Sequence, residues 1–272
     1  MPTFSRAEVD TGATGGWASW QRGARLCVHA PLVLFVLATL AQYAALAPDI
    51  VTALAPRATS TVSGLLVVQL AAILLEAGFY AGLIACIDRL ATGERRPVLA
   101  RVLEPRRVIA LAVAGIIYNI LVDIGLVLFI LPGVFFSIAM LFFAFPIVVG
   151  DAGPLAALGA SSDCVSKRFW QTSAALSVAL LVYSVYVVVT WVPGFIGIDW
   201  RSLVMLSADA QRNSMSLAEL SARANRLVTP APVAAPLWFF VLNPLLGGVV
   251  MPPVLAALYG VWRRFQSASA AS

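Results

Sequence analysis

Charge is scarce in this chain. Only 11% of its 272 residues are Asp, Glu, Lys or Arg, where a soluble domain carries about 25%. Water does not solvate a folded surface so poor in charge, which excludes an ordinary soluble domain. Histidine is scarcer still: His29 stands alone. The three cysteines, Cys27, Cys86 and Cys164, contain no Cys-x-x-Cys pair, so zinc-ligand spacing is missing, and their odd number argues against a disulfide framework. Neither a metal nor a cofactor is expected. The glycine-rich stretch at residues 11–16, TGATGG, lacks the Lys-Ser/Thr that completes a phosphate loop. Residues 148–151 read VVGD, without the first glycine of the Gly-x-Gly-Asp motif of an intramembrane aspartyl protease. His29 lies at the edge of an apolar run, away from any deep serine, which counts against a serine protease. No convergent acid, base and nucleophile emerges, so an enzyme is not expected.

What the chain has instead is apolar surface, with 61% hydrophobic residues. Six runs approach or exceed the ~17–25 apolar residues that cross a bilayer. They cover 28–47, 64–87, 108–131, 134–150, 172–192 and 234–261. Each is expected to be helical, because lipid offers the backbone no hydrogen-bond partner. The expected fold is all-α: a polytopic membrane protein with six transmembrane helices plus short cytoplasmic interfacial helices. One membrane domain covers 15–264, between disordered tails at 1–14 and 265–272. Arginines before the first run and Ala45-Leu46-Ala47 at its end imitate a signal peptide. The long polar segment before the run and Pro48 after it favour a retained first helix.

Arginine placement predicts the orientation. With both termini inside, most basic residues fall in cytoplasmic loops, among them Arg22, Arg25, Arg89, Arg95, Arg96, Arg106, Arg107, Lys167, Arg168, Arg263 and Arg264. The outer set, Arg57, Arg201, Arg212, Arg223 and Arg226, sits mostly in one long loop, where the rule is weak. The net charge of +5 is spread over loop ends beside apolar helices, a pattern for anionic lipid and not for nucleic acid. Headgroup contacts are therefore expected at Arg95, Arg96, Arg106, Arg107, Lys167 and Arg168.

Several shorter signals fill in the plan. Trp17 and Trp20, three apart before Arg22 and Arg25, mark an interfacial lead-in. Gly93 suits a helix stop and Pro97 a restart, with Val98, Leu99, Val102 and Leu103 as the apolar stripe of a surface helix that Pro105 ends. Pro132-Gly133 separates the third and fourth runs. Pro154 opens an amphipathic linker in which Leu155, Leu158, Ser162, Val165 and Phe169 share a face, with Lys167 and Arg168 in its last turn. In the outer loop, 193–232, Ser216-Leu217-Ala218-Glu219 fits a capping box, and a small helical cap stands against an unordered loop. Pro236, Pro244, Gly247, Gly248, Pro252 and Pro253 punctuate the sixth run, predicting a kinked or discontinuous helix.

Together these pieces resemble the YciC-like bacterial inner-membrane proteins, which are related to the membrane domain attached to some glycerophosphodiester phosphodiesterases. The resemblance is carried by Leu131-Pro132-Gly133, Phe145-Pro146 followed by Asp151, Ala157-Leu158 then Ser161, Arg168-Phe169-Trp170, Thr92-Gly93-Glu94-Arg95, and Leu258-Tyr259 before Arg263-Arg264. It implies a six-helix architecture in a bacterial inner membrane. With a single histidine, it does not carry over the phosphodiesterase activity.

The polar residues within the runs are the candidate site. A charge at membrane depth costs roughly 2.5–3.5 kcal/mol on insertion scales, so it usually faces a partner or a cavity. Glu76 lies midway along the second run and Asp123 outward of the middle of the third. Asn119, four residues before Asp123, and Gln69, seven before Glu76, extend the two polar stripes. Two functions follow as expectations. The first is a non-enzymatic membrane protein that supports membrane or envelope homeostasis by binding lipid, a membrane partner or a second copy of itself. The alternative is a small transporter or channel that uses Glu76 and Asp123 as proton or cation sites.

Overall fold

The computed structural model describes residues 15–55, 61–93, 104–128, 130–196, 205–206 and 237–270. Every regular element among them is helical. Nine helices can be followed: α1 (Gly16–Cys27), α2 (Pro31–Leu54), α3 (Val62–Thr92), α4 (Pro105–Leu128), α5 (Ile130–Ala139), α6 (Ala144–Val148), α7 (Pro154–Ser166), α8 (Phe169–Ile196) and α9 (Leu237–Ala270). Six stretches are long and apolar enough to cross a membrane: Pro31–Thr52, Val62–Thr92, Pro105–Leu126, Leu131–Val148, Phe169–Val189 and Phe240–Ser267. The all-α, six-span plan read from composition is the plan of the molecule.

Local chemistry sets the helix ends. The Thr61 hydroxyl accepts the Gly64 N–H at 3.1 Å and caps α3. At its other end Gly93 takes φ +72 and returns its N–H to the Arg89 carbonyl, the left-handed stop that glycine adopts without strain. Prolines open α2 and α7 at the first helical turn, where the missing N–H costs no bond. Pro132-Gly133 lies inside the first turn of α5 and within the fourth span, not between two spans. Gly133 has another use. A Cβ on Gly125 would stand 2.8 Å from the Gly133 backbone, so two glycines let α4 and α5 cross closely.

The chain divides into two compact units, Met1–Tyr183 with Pro244–Ser272, and Ser184–Asn243. Within the second, the Tyr186 hydroxyl donates to Asn243 Oδ1 at 3.0 Å. The first holds the main core. The α3 and α9 spans are its centre, each 50% buried, against 22% for the α4 and α8 spans. The buried stretch of α3 runs from Ala81 to Asp88 and meets Val254, Leu258, Tyr259, Val261 and Trp262 of α9 together with Phe145, Ile147 and Val148 of α6. Phe145 packs on Tyr259 and Trp262 at centroid distances of 5.7 and 5.5 Å. Arg107, Arg263, Arg264 and Lys167 gather at the same end of the unit, here termed the basic end. The amphipathic α1 belongs to it as well. Gly16 lies against Ala174 and Ser177 of α8, and Gly23 lies where a Cβ would stand 2.6 Å from the Ala257 nitrogen of α9. The Arg264 guanidinium donates to Ser19 Oγ at 2.9 Å.

Four expectations need correction. The break falls in the fourth span, at residues 140–143 between α5 and α6, whereas the proline-rich sixth span is one continuous helix. Pro146 has no N–H for the Phe142 carbonyl, and the backbone around it tightens to i→i−3 bonds: Leu141 N to Ile138 O, Phe143 N to Met140 O and Phe145 N to Phe142 O. In α9 the prolines are enclosed by neighbours, with Gly248 against Phe35 and Thr39 and Pro253 against Gly23, which holds the helix together across the missing bonds. The tail expected from residue 265 is helical to Ala270, because Phe265 packs edge-on against Phe142 at 6.4 Å. The buried face of α7 is Ala157, Leu158, Ser161 and Val165, not the stripe through Leu155 and Ser162; Leu155 is 71% exposed. Small residues at 157 and 161 let α7 press against the broken span. Finally, α2 runs through Pro48 to Leu54, well past the apolar run. The tail at 1–14, the surface helix after Pro97, and the capping box of the outer loop lie outside the described residues.

Candidate functional site at the basic end

The four intramembrane polar residues do not form one cluster. Glu76 is half-buried on α3, in the neighbourhood of Tyr183, which itself lies near Tyr118. The Tyr118 hydroxyl donates to the Ser137 carbonyl at 3.2 Å, and nearby Gln42 donates to the Tyr80 hydroxyl at 3.1 Å. Gln69, Asn119 and Asp123 are exposed on the helix surfaces. The helical period explains this for α4. Its inward stripe runs through Leu111, Ala114, Tyr118 and Gly125, and Asn119 stands one residue, about 100°, further round.

The structure instead concentrates polar contacts at the basic end, around Asp88, Arg107 and Ser161. Asp88 is 5% exposed on α3. The Tyr259 hydroxyl donates to its Oδ1 at 2.6 Å, and Arg263 Nε donates to the same hydroxyl at 2.7 Å. An Arg263 nitrogen also lies 3.8 Å from Asp88 Oδ1. The guanidinium stands over the Tyr259 and Trp262 rings at 5.7 and 5.9 Å. Tyr259 and Arg263 are four apart on α9, so one helical face delivers both to Asp88. The sequence signal was present but weak: Asp88 continues the apolar run Ile84-Ala85-Cys86-Ile87 without a break.

A second knot closes α6. Arg107 donates to the Val148 carbonyl at 2.8 Å and pairs with Glu104 at 2.8 Å and Asp151 at 3.4 Å. A cation on a C-terminal carbonyl also meets the negative end of the helix dipole. Asp151 adopts φ +57, and the next N–H, of Ala152, turns back to the Pro146 carbonyl. A third knot is Ser161. Its hydroxyl accepts the Phe142 N–H and donates to the Ala139 carbonyl, both at 3.0 Å, bridging the break in the fourth span.

Of the expected headgroup contacts, Arg107 is turned inward by these bonds, with 16% of its side chain exposed. Arg106, Lys167 and Arg168 are exposed, and Arg95 and Arg96 lie outside the described residues. Lys167 and Arg168 border a recess of about 460 Å³ together with Asp163, Cys164, Phe265 and Gln266. Arg168 lies 5.6 Å from the centroid of the Phe265 ring. All three cysteines are free thiols. Burial pushes the Cys164 thiol up, and the neighbouring Arg168 partly opposes it. Burial, then the nearby Cys86, pushes Cys27 to about 12. The His29 ring bonds the Arg25 carbonyl at 3.0 Å, closing the end of α1.

No protein-family model, curated protein or solved structure matches this chain.

Proposed function

We propose that this is a YciC-like, non-enzymatic protein of a bacterial inner membrane, with both termini in the cytoplasm, which supports envelope homeostasis by binding anionic lipid headgroups at its basic end. One observation carries the reading: exposed cations and exposed indoles share that end. Lys167 and Arg168 are exposed directly before Trp170, which is 81% exposed. Trp17, 61% exposed, stands on α1 with the exposed Arg25. Indoles favour the headgroup region and cations favour anionic lipid. The exposed positions of Gln69, Asn119 and Asp123 weaken transport through Glu76 and Asp123.

The lipid reading is tested by native mass spectrometry of the purified protein. Lys167→Gln with Arg168→Gln should lower retention of anionic phosphatidylglycerol relative to phosphatidylcholine severalfold, at about 1 kcal/mol per cation near the surface. Equal retention by native protein and variant would overturn it. Orientation has its own test. A reporter inserted at Ala160 should read as cytoplasmic, and a periplasmic signal would reverse the topology.

A further inference from the structure

We propose that the recess between α7 and α9 binds a phospholipid headgroup bearing a primary ammonium on its phosphate, of the phosphoethanolamine type. The inference rests on the lipid-binding reading of the basic end and adds to it one site where a carboxylate among the cations favours a headgroup that also carries an amine.

Position comes first. Lys167 and Arg168 immediately precede the span that begins at Phe169, while Phe265 and Gln266 close the span that ends at Ser267. The recess therefore opens where two spans meet the membrane surface, at headgroup depth. Its volume of about 460 Å³ falls within the roughly 300–1,000 Å³ of small-ligand sites.

The lining supplies both halves of a zwitterion. Lys167 and Arg168 are donors for a phosphate, and guanidinium–phosphate contacts are among the stronger hydrogen bonds. The Phe265 ring beneath the guanidinium supports it from one face and leaves the N–H edge for the ligand. Asp163 supplies a carboxylate. Asp163 and Lys167 are four residues apart, a spacing at which such a pair closes on a helix. Among the described residues, however, no ion pair joins them. The two charges stay open to the recess, placed to take a phosphate on one side and an ammonium on the other. An anionic headgroup without an amine would set its phosphate against Asp163, and a trimethylammonium has no N–H to donate to the carboxylate. Selectivity for the primary amine follows.

Cys164 lines the recess and reports on its occupancy. A Cys27→Ala/Cys86→Ala background leaves it as the single thiol. In phosphatidylcholine nanodiscs at alkaline pH, its maleimide alkylation rate is compared with added phosphatidylethanolamine, with added phosphatidylglycerol, and in detergent with soluble phosphoethanolamine. Phosphatidylethanolamine should slow alkylation roughly tenfold, the scale of one charge-assisted hydrogen bond, and phosphatidylglycerol should slow it less. Asp163→Asn should erase the difference between the two lipids, and Lys167→Gln/Arg168→Gln should erase protection by both. Protection by soluble phosphoethanolamine supports the chemistry and moves its source to a soluble ligand. Equal rates in all lipids, or protection untouched by Asp163→Asn, overturns the site. If native mass spectrometry still shows loss of anionic lipid in the Lys167/Arg168 variant while Cys164 alkylation is unchanged throughout, the basic-end reading stands and the recess proposal fails.

Discussion

Asp88→Ala is expected to destabilise the folded protein by about 2–4 kcal/mol: the buried Tyr259 hydroxyl loses its acceptor at about 1–3 kcal/mol, and the partly exposed Arg263 loses its counter-charge at up to about 1 kcal/mol. The size follows from what is left behind. Asp88 is 5% exposed, and its Oδ1 is the acceptor for the Tyr259 hydroxyl and the counter-charge to Arg263. Without it, a tyrosine hydroxyl that is 1% exposed as a residue keeps Arg263 as a donor but loses its own acceptor. A half-exposed guanidinium then remains beside a vacated apolar space. Asp88→Asn keeps an acceptor oxygen and loses the charge, so it should cost less. Tyr259→Phe should cost about 1–3 kcal/mol, because it leaves the carboxylate short of one bond. The double variant Asp88→Ala/Tyr259→Phe should fall short of the sum, since the two single changes break the same contact. Thermal or denaturant unfolding in one detergent measures all four variants against the native protein. A loss below 1 kcal/mol for Asp88→Ala, or strict additivity, would show that the triad does not join α3 to α9.

The triad also marks the limit of what the sequence discloses. The six spans were legible because lipid imposes one rule on every backbone group, so apolar length alone locates a helix. Gly93 and Pro154 were legible because a left-handed stop and an N-terminal start are local choices. Asp88 was not legible as a site residue. Its partner hydroxyl is 171 residues away, and nothing nearby distinguishes a buried acid from one entering a loop. The converse error befell Asp123 and Asn119. Their depth along α4 was readable, but the face of α4 that meets its neighbours is set by tertiary packing, and they fall outside it. Proline counting misled in the same way. Three prolines in α9 leave it continuous, while Pro146 alone lies next to a break, because neighbours decide whether the missing bonds can be tolerated.

That break depends on one hydroxyl, which gives the second large expectation. Ser161→Ala should cost about 2–6 kcal/mol, because two buried backbone groups lose their partner together at about 1–3 kcal/mol each. Ser161, Ala139 and Phe142 are each no more than 1% exposed, so neither the Phe142 N–H nor the Ala139 carbonyl can turn to bulk water. The effect should be local before it is global. Amide exchange at Phe142 and its neighbours in 138–148 should accelerate in the alanine variant, while exchange along α2, far from the bridge in sequence and packed on α3, should stay near native. Ser161→Thr separates the hydroxyl from the space it occupies. It keeps donor and acceptor but adds a methyl group to a filled site, at about 1–3 kcal/mol. It should therefore retain slow exchange at Phe142 even where overall stability falls. If the alanine variant matches native protein in both stability and exchange, the turn between α5 and α6 is held by its own i→i−3 bonds, and the hydroxyl that bridges it is incidental.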